Sequence, residues 1–210
     1  MKTTNSEFNS AQESYNLLID YLTKKNKDLN SIKIIIDIGA GMPQHYSNSN
    51  FFRDKNSKVI CIEPNPRFCE MFRQNNFDIL EYACTKDDIG TTMFREYMDG
   101  HDGLGGSSII EEIDRWPNVP SKEYEVKALS LNTILNIHHP EVTEIDILDI
   151  DTEGNELDVI YGLNMKKYNP KVLIIENIYY EDNGYRDFFN ELGYELKACC
   201  AHNDIYVLKK

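Results

Sequence analysis

The stretch EIDILDIDTEGNELDVI, at residues 144–160, combines a strand pattern with an unusual number of acids. Seven of its seventeen residues carry carboxylates, and Asp149 and Asp151 stand where a buried strand is normally apolar. Because side chains alternate along a strand, these two acids share one face, and Asp151 comes at the carboxyl end. A buried carboxylate is unfavourable unless it is paired, hydrogen-bonded or bound to a metal. The stretch therefore predicts a site that uses acids.

A second polar pair ends the next predicted strand. Glu176 and Asn177 close KVLIIENI, at residues 171–178, which we expect to lie beside the Asp151 strand at about 4.8 Å. Asp151, Glu176 and Asn177 would then meet at one rim with hard oxygen donors, which suit Mg²⁺ or Mn²⁺. Such an ion would lower the pKa of a substrate hydroxyl and orient it. The alternative is structural, with Asp151 and Asn177 as caps and Glu153 at the positive end of a helix.

Without a metal, a side chain must take the proton of the acceptor. His45 follows the first predicted strand and His101 lies in a glycine-rich insert, and imidazole titrates where a general base is useful. Either histidine could equally be a surface residue, and the sequence does not rank the bases. The candidate catalytic residues are therefore Asp151, Glu153, His45, His101 and Asp149.

The motif DIGAG, at residues 37–41, predicts a tight turn after a strand, where glycines let the backbone approach a ligand. A dinucleotide fingerprint would continue with a third glycine, but Gln44 stands there, which weakens an NAD prediction. Glu63 closes the second predicted strand, where a carboxylate can accept hydrogen bonds from both hydroxyls of a ribose. This order of strand, glycine turn, helix, strand and acid is the order expected for S-adenosylmethionine (SAM).

The segment EYACTKDD, at residues 81–88, follows the third predicted strand and could meet the adenine. The contacts would be the backbone near Cys84 and the side chain of Asp87. The predicted cofactor-binding residues are Asp37, Gly39, Ala40, Gly41, Glu63, Pro64, Cys84, Asp87 and Asp151.

Strands that alternate with helices must position these groups. Continuous apolar runs at 33–39 and 59–64 predict strands covered on both faces. Further strands are expected at FDILEYA (77–83), EIDILDID and KVLIIENI, with YELKACC and DIYVLK as a closing antiparallel pair. Helices are expected at 8–25 and 44–54 and around FCEMFRQ, LNTILNIHH, NELDVIYGL and YRDFFNEL. We predict an α/β fold with a doubly wound, Rossmann-like parallel sheet, in which ligands bind beyond the carboxyl ends of the strands.

A long insert interrupts the alternation of strands and helices. The segments 90–97 and 124–131 predict a strand pair around residues 96–123, which are rich in glycine. An insert of this length is more often a functional loop than a plain connection. The polar side chains of the insert and its tryptophan could hold a sugar, or the insert could be a surface loop. The candidate substrate-contact residues are His101, Asp102, Ser107, Ser108 and Trp116.

The composition restricts the partners. With 22 Lys and Arg against 35 Asp and Glu, the formal charge of -13 opposes non-specific binding to nucleic acid or anionic lipid. Five cysteines without C-x-x-C spacing indicate reduced thiols of an intracellular protein. The chain lacks a signal-peptide core and any run near the roughly 20 apolar residues of a membrane span. We expect a soluble, cytoplasmic protein that acts on a small molecule.

The domain prediction is a single domain at residues 31–210, preceded by an N-terminal helical extension at 1–30. Its amphipathic helix could cover the sheet, shield the active site or mediate a homodimer.

Four motifs together resemble the FkbM-type SAM-dependent methyltransferases: DIGAG, CIEPNP, DILDIDTEGNELDVIYGL and LIIEN. The resemblance covers about residues 33–195, and DTEGNEL is its most specific part, against a family motif of I-D-x-E-G-x-E. Two departures are GAGMP, where the family has G-A-N-x-G, and Asp149, where it often has lysine. The resemblance implies a seven-stranded methyltransferase sheet with an antiparallel last strand. It also implies O-methylation, often of sugar hydroxyls or natural-product side chains.

We therefore predict a SAM-dependent O-methyltransferase whose small acceptor is a sugar. A deoxyhexose such as rhamnose or fucose is the leading candidate, free, nucleotide-linked or in a glycan. The net negative charge disfavours a nucleotide-sugar unless a cation, Arg95 or Arg115 screens its phosphates. The alternatives are an NAD(P)-dependent oxidoreductase or epimerase and a noncatalytic SAM-binding protein.

Overall fold

A twisted sheet with helices on both faces forms the centre of the molecule in the computed structural model. The structure describes residues 6–43, 48–53, 55–98, 108–109, 118–177, 184–200 and 202–209. The helices within these residues are α1 (Ser6–Lys24), α2 (Asn48–Arg53), α3 (Pro66–Gln74), α4 (Leu131–His138), α5 (Glu156–Tyr161), α6 (Met165–Tyr168) and α7 (Gly184–Glu191). The strands are β1 (Lys33–Ile38), β2 (Ser57–Ile62), β3 (Ala83–Thr85), β4 (Gly90–Tyr97), β5 (Ser108–Ile109), β6 (Ser121–Ser130), β7 (Ile147–Ile150), β8 (Val172–Glu176), β9 (Tyr194–Cys200) and β10 (Asn203–Leu208).

The main sheet has the order β2-β1-β7-β8-β10-β9. Strands β2, β1, β7 and β8 are parallel, whereas β10 runs antiparallel to both β8 and β9. From β1 the chain proceeds to β2 on one side, and β7 later takes the other side. The direction of winding therefore reverses between β1 and β7, and ligands of such sheets bind at the carboxyl ends of the strands on either side of this reversal.

Helices cover both faces of this sheet, as the predicted doubly wound fold requires. On one face, α4, α5 and α7 pack against alternate strand residues such as Ile36, Leu148 and Ile175. On the other face, α1 and α2 pack against residues such as Ile35 and Ile147. Because both faces are covered, β7 and β8 are buried along their whole length, which accounts for their apolar sequences.

Among the described residues the main sheet has six strands, whereas the family resemblance implies seven and the sequence predicted a further strand at residues 77–83. Within the described chain, this segment contributes a single parallel bridge between Leu80 and Ile62. The backbone turns at once, because the amide of Tyr82 donates to the carbonyl of Leu80 at 3.2 Å. The chain then leaves the main sheet, and β3 pairs with β6 in a second sheet.

The second sheet has four strands in the order β3-β6-β4-β5. Its long antiparallel pair, β4 and β6, corresponds to the strand pair predicted on either side of the insert. A small core of Ala83, Phe94, Val126 and Ala128 holds the sheet together. At the end of β6, the Ser130 side chain accepts a hydrogen bond from the Thr133 amide and caps α4.

The leading helix covers one face of the main sheet. Ala11, Leu18 and Leu22 of α1 are buried in the same cluster as the strand residues beneath them. Near the start of α1, the hydroxyl of Ser10 accepts a hydrogen bond from the Asn203 side chain of β10 at 3.2 Å. Asn203 pairs in register with Glu176, so the start of α1 lies near the carboxyl end of β8. None of the helices that the structure describes has the length and apolar character of a membrane span.

Candidate active site

The glycine turn after β1 is pressed against the end of β7. Gly39 has a φ of 76°, and its amide donates to the carbonyl of Ile62 at 2.9 Å. A Cβ atom added to Gly39 would lie 1.6 Å from the backbone oxygen of Asp151. Glycine is thus required here because two pieces of backbone meet, whereas the sequence had suggested the approach of a ligand. The contact fixes the turn relative to the carboxyl end of β7.

The Glu63 carboxylate joins the glycine turn to the end of β2. One oxygen accepts a hydrogen bond from the Gly41 amide at 2.9 Å, and the other accepts one from the Asn65 amide at 2.8 Å. Because each carboxylate oxygen can accept two hydrogen bonds, both oxygens keep a position for a further donor such as a ribose hydroxyl.

Burial controls the charge of Glu63, which is 4% exposed. Desolvation raises the pKa of Glu63 to about 7, although the hydrogen bonds from Asn65 and Gly41 oppose the shift. The nearby charge of Asp37 raises this pKa further. Asp37 is itself buried on β1, in register with Cys61 of β2 and with Asp149 of β7.

Three carboxylates meet where β7 and β8 end. Oxygen atoms of Asp151, Glu153 and Glu176 all lie within 4.8 Å of one another. Desolvation raises the pKa of Asp151 well above its ordinary value, and the charges of Glu176 and Glu153 raise it further. Asp149, two residues earlier on the same face of β7, also contributes to this shift. The arrangement is able to bind a proton or a divalent cation.

Asn177 does not face this cluster in the same way as Glu176. Its side-chain nitrogen donates to an Asp204 oxygen at 3.0 Å, and its amide donates to the carbonyl of His202. Asp204 pairs in register with Ile175, the neighbour of Glu176 on β8. The Asn177 side chain therefore contacts a residue on the face of the sheet opposite to that of Glu176. Within the residues that the structure describes, Glu153 is the third acid beside Asp151 and Glu176.

Of the residues predicted near the adenine, Cys84 lies within β3 and Asp87 follows this strand. The carbonyl of Cys84 lies 3.4 Å from the side-chain nitrogen of Asn155, which precedes α5. Burial raises the pKa of the Cys84 thiol, so the group stays protonated. The Asp87 side chain is exposed, and its backbone oxygen accepts a hydrogen bond from the Thr85 hydroxyl at 2.9 Å. Pro64, beside Glu63, is half-buried.

Several predicted residues lie outside the described part of the chain. They include both candidate histidine bases and most of the proposed sugar-binding residues of the insert: His45, His101, Asp102, Ser107, Arg115 and Trp116. Ser108 is described and pairs with Arg95 in the short strand β5.

Sequence reasoning missed two buried carboxylates beside the site. Glu156 begins α5 and accepts hydrogen bonds from the preceding loop. Glu96 of β4 accepts a hydrogen bond from the Arg67 side chain at 2.9 Å, and the charge of Glu96 raises the pKa of Glu63. Burial raises the pKa of Glu96, but hydrogen bonds from Asn65 and Arg67 outweigh it and hold this pKa below its ordinary value. Glu156 could have been found from its place in the DTEGNEL motif, whereas an isolated acid on an insert strand gives no such signal.

Comparison with known proteins places these residues in a family. Residues 37–196 match the model of the family described as the methyltransferase FkbM domain. A comparison with curated proteins found no significant match. One similar solved structure is precorrin-6y C5,15-methyltransferase from Geobacter metallireducens GS-15, with a TM-score of 0.49 and 14% identity, covering 94% of this chain and 87% of that chain. Another is a "putative O-methyltransferase" from Klebsiella pneumoniae, with a TM-score of 0.43 and 12% identity, covering 95% and 80% of the two chains.

Proposed function

The chain belongs to the FkbM methyltransferase family, and from this premise we propose that it transfers the methyl group of SAM to a hydroxyl of a small acceptor. The observation that carries the proposal is the hydrogen bond from Gly41 to Glu63. It joins the turn after β1 to the acid at the end of β2, and Gly39 of the same turn packs against the backbone of Asp151. With the ribose at Glu63, we propose that the methyl group faces an acceptor hydroxyl held near Asp151.

The charge of the site suits this cofactor. SAM carries a positive sulfonium and a positive ammonium group, and opposite charges attract strongly in a poorly solvated crevice. We propose that Gly39, Ala40 and Gly41 border its amino-acid end, with Asp37 buried behind them. The ribose would bind Glu63 next to Pro64, and the adenine would lie near Cys84 and Asp87.

The reaction is a direct displacement at the methyl carbon. The acceptor oxygen forms a bond to this carbon while the carbon–sulfur bond breaks, and the hydroxyl proton must go to a base. We propose Asp151 as that base, because a carboxylate whose pKa is raised above its ordinary value is a stronger proton acceptor when ionised. Glu153 and Asp149 would support its raised pKa through their charges. His45 and His101 are the alternative bases.

A divalent cation at the same acids is a second candidate, favoured by the 4.8 Å grouping of carboxylate oxygens. Asp151, Glu153 and Glu176 would hold it, and they are hard donors of the kind that Mg²⁺ and Mn²⁺ prefer. The like charges that raise the pKa of Asp151 are the charges that a cation would offset. When bound, the ion would lower the pKa of the acceptor hydroxyl.

Chelation separates the two candidates. With Asp151 as the base, we expect methyl transfer to continue unchanged after thorough treatment with EDTA. The measurement is the methyl-transfer rate before and after chelation, together with a Mn²⁺ titration followed by its EPR signal. A loss of activity that Mg²⁺ or Mn²⁺ restores would contradict this expectation and assign the acids to a metal. Binding of Mn²⁺ by the wild type but not by Glu176→Gln would locate that metal.

The charge of the crevice favours a neutral acceptor such as a sugar. Arg95, which could have screened a phosphate, donates two hydrogen bonds to Glu123, at 3.0 and 2.7 Å. We therefore propose a free or glycan-linked deoxyhexose, with rhamnose and fucose as the first choices, ahead of a nucleotide-sugar. Labelled-methyl incorporation into L-rhamnose, L-fucose, their nucleotide-linked forms and glycans tests this. A titration in which NADH binds and SAM does not would favour the oxidoreductase instead.

The pH dependence of cofactor binding follows from Glu63. Ribose hydroxyls donate to the ionised carboxylate, so binding lowers the Glu63 pKa from about 7 in the free protein and releases a proton. The affinity for S-adenosylhomocysteine (SAH) is expected to level off above pH 7 and to fall by up to about tenfold per pH unit below it. Calorimetry at several pH values measures this dependence. Glu63→Gln, which cannot ionise, should give a flat profile, and an identical slope in both proteins would refute the assignment.

A further inference from the structure

A buried carboxylate outside the proposed reaction holds the loop that carries the acids. Glu156 is 1% exposed. One of its oxygens accepts three hydrogen bonds, from the Thr152 amide at 3.1 Å, the Thr152 hydroxyl at 3.0 Å and the Gly154 amide at 2.8 Å. The other oxygen accepts a hydrogen bond from the Tyr185 hydroxyl of α7 at 3.0 Å. Glu156 therefore binds the loop after β7 through one oxygen and α7 through the other.

The loop needs such support because its backbone is strained. Glu153 has a φ of 58° and Gly154 has a φ of 113°, so two consecutive residues adopt the left-handed half of conformational space. This conformation is unfavourable for a residue with a Cβ atom, such as Glu153, and persists only where the surroundings impose it. The amides on either side of Glu153 both donate to the same Glu156 oxygen. That pair of hydrogen bonds holds the backbone of Glu153 in place.

Helix α5 has attachments that do not depend on these hydrogen bonds. Val159 and Ile160 are buried in the core. Gly162, at the end of the helix, lies so close to β3 that an added Cβ would be 2.3 Å from the carbonyl oxygen of Thr85. Loss of the Glu156 carboxylate is therefore expected to release the loop at 152–154 while the helix remains packed.

We propose that Glu156 is a positioning residue for methyl transfer. It fixes the loop between Asp151 and α5, and so sets the distance of the Glu153 carboxylate from those of Asp151 and Glu176. Through Tyr185 it also ties this loop to α7, so that the acids keep a constant relation to the sheet. This assignment rests on the proposed function, because it gives Glu156 a part in the reaction without contact with the acceptor or with SAM.

The first test needs no acceptor. Hydrogen exchange of the Thr152 and Gly154 amides is compared in the wild type, Glu156→Ala and Glu156→Gln. We expect Glu156→Ala to speed exchange at both amides by about tenfold or more, whereas amides of β7 keep their protection. Glu156→Gln retains an acceptor oxygen and should preserve much of the protection. Unchanged exchange in Glu156→Ala would overturn the assignment.

The second test measures turnover and cofactor affinity separately. With L-rhamnose or L-fucose as the acceptor, Glu156→Ala should lower kcat by about tenfold or more and leave the affinity for SAH within about threefold. Glu156→Gln should recover most of the activity, and Tyr185→Phe, which removes one of the four hydrogen bonds, should have an intermediate effect. An equal loss of kcat and SAH affinity in Glu156→Ala would instead indicate general disruption.

Asp146→Asn is the matched control. Asp146 is also a buried carboxylate in the same stretch, but it lies at the amino end of β7, where it accepts a hydrogen bond from the Ile34 amide at 2.8 Å and contacts Lys171 at 2.8 Å. We expect this variant to lower stability and to leave kcat unchanged. A comparable loss of kcat in Asp146→Asn would show that destabilisation alone explains the effect of Glu156→Ala.

The outcomes also distinguish this assignment from the proposed function. Wild-type protein that binds neither SAM nor SAH would refute the proposed function, and the exchange of Thr152 and Gly154 would still decide whether Glu156 fixes the loop. Normal exchange and normal kcat in Glu156→Ala, in a wild type that methylates a sugar, would refute the Glu156 assignment and keep the function.

Discussion

Replacing Asp151 by asparagine is expected to lower kcat for methyl transfer by about 10²- to 10⁴-fold. Asparagine has nearly the same shape as aspartate but cannot accept the proton of the acceptor hydroxyl. Because the ribose binds at Glu63 in this account, the affinity for SAH should change little. The measurements are kcat with a sugar that the wild type methylates, such as L-rhamnose or L-fucose, and the Kd for SAH by calorimetry.

The Asp151 variant should remain folded, which makes the loss of activity interpretable. Burial and the charges of Glu176 and Glu153 raise the pKa of Asp151 in the folded protein. A group whose pKa is raised on folding destabilises the folded protein at neutral pH, where the unfolded chain carries it ionised. Removing this charge is therefore expected to keep the free energy of unfolding at pH 7 equal or to increase it. Full activity in a folded Asp151→Asn variant would exclude Asp151 as the base.

Glu153→Gln serves as the matched control for Asp151→Asn. It removes a neighbouring charge from the same cluster but leaves the proposed base in place. We expect a smaller loss of kcat than in Asp151→Asn, because the charge of Glu153 raises the pKa of Asp151 but Glu153 is not itself the proposed base. A larger loss of kcat in Glu153→Gln than in Asp151→Asn would indicate that Glu153 is the base and that Asp151 is the supporting charge.

Replacing Gly39 by alanine is expected to abolish SAH binding and to lower the free energy of unfolding by about 3 kcal/mol or more. The new Cβ atom would lie 1.6 Å from the backbone oxygen of Asp151, far closer than two non-bonded atoms can approach. Either the turn after β1 or the end of β7 must move. Since Gly41 of the same turn binds Glu63, the movement would also displace the ribose acid.

Gly193→Ala separates the steric clash from the backbone conformation. Gly193 has a φ of 93°, but apart from Gly193 and its two chain neighbours no heavy atom of the described residues would lie within 4 Å of an added Cβ. Its substitution should therefore cost only the conformational strain of about 1 kcal/mol. Denaturant unfolding of both variants gives the difference that is due to contact with Asp151. Equal destabilisation by the two substitutions would show that the glycine turn does not press on β7.

The central strands could be predicted because they are covered on both faces. A continuous apolar run has one simple explanation in a sheet with helices on either side, and KIIIDIG therefore predicted β1 directly. The meeting of Asp151 with Glu176 beyond the ends of β7 and β8 followed from the alternation of strands and helices. Segment 77–83 has a similar apolar pattern, but the chain turns at Tyr82 and then enters the second sheet. The segment contains no glycine or proline that would have predicted this turn.

The finer geometry of the site depends on contacts that strand alternation does not encode. Glu153 was predicted as a candidate catalytic residue or as an acid at the positive end of a helix, but neither prediction includes the left-handed backbone that brings its carboxylate to Asp151. Asn177 follows β8, and its side chain donates a hydrogen bond to Asp204 of the antiparallel neighbour β10. Gly39 was interpreted as a ligand-facing glycine, but the neighbour that requires it is the backbone of Asp151, 112 positions later in the chain. These features arise from pairs of residues that are distant in sequence.

Whether SAM binds through its ribose at Glu63 is decided by a calorimetric titration of SAH into the wild type and Glu63→Ala. We expect one binding site in the wild type and a loss of about 1.5–3 kcal/mol of binding free energy in the variant, because hydrogen bonds to a charged group are removed. Absence of heat from the wild type at about millimolar SAH, or equal affinity in the two proteins, would contradict this expectation.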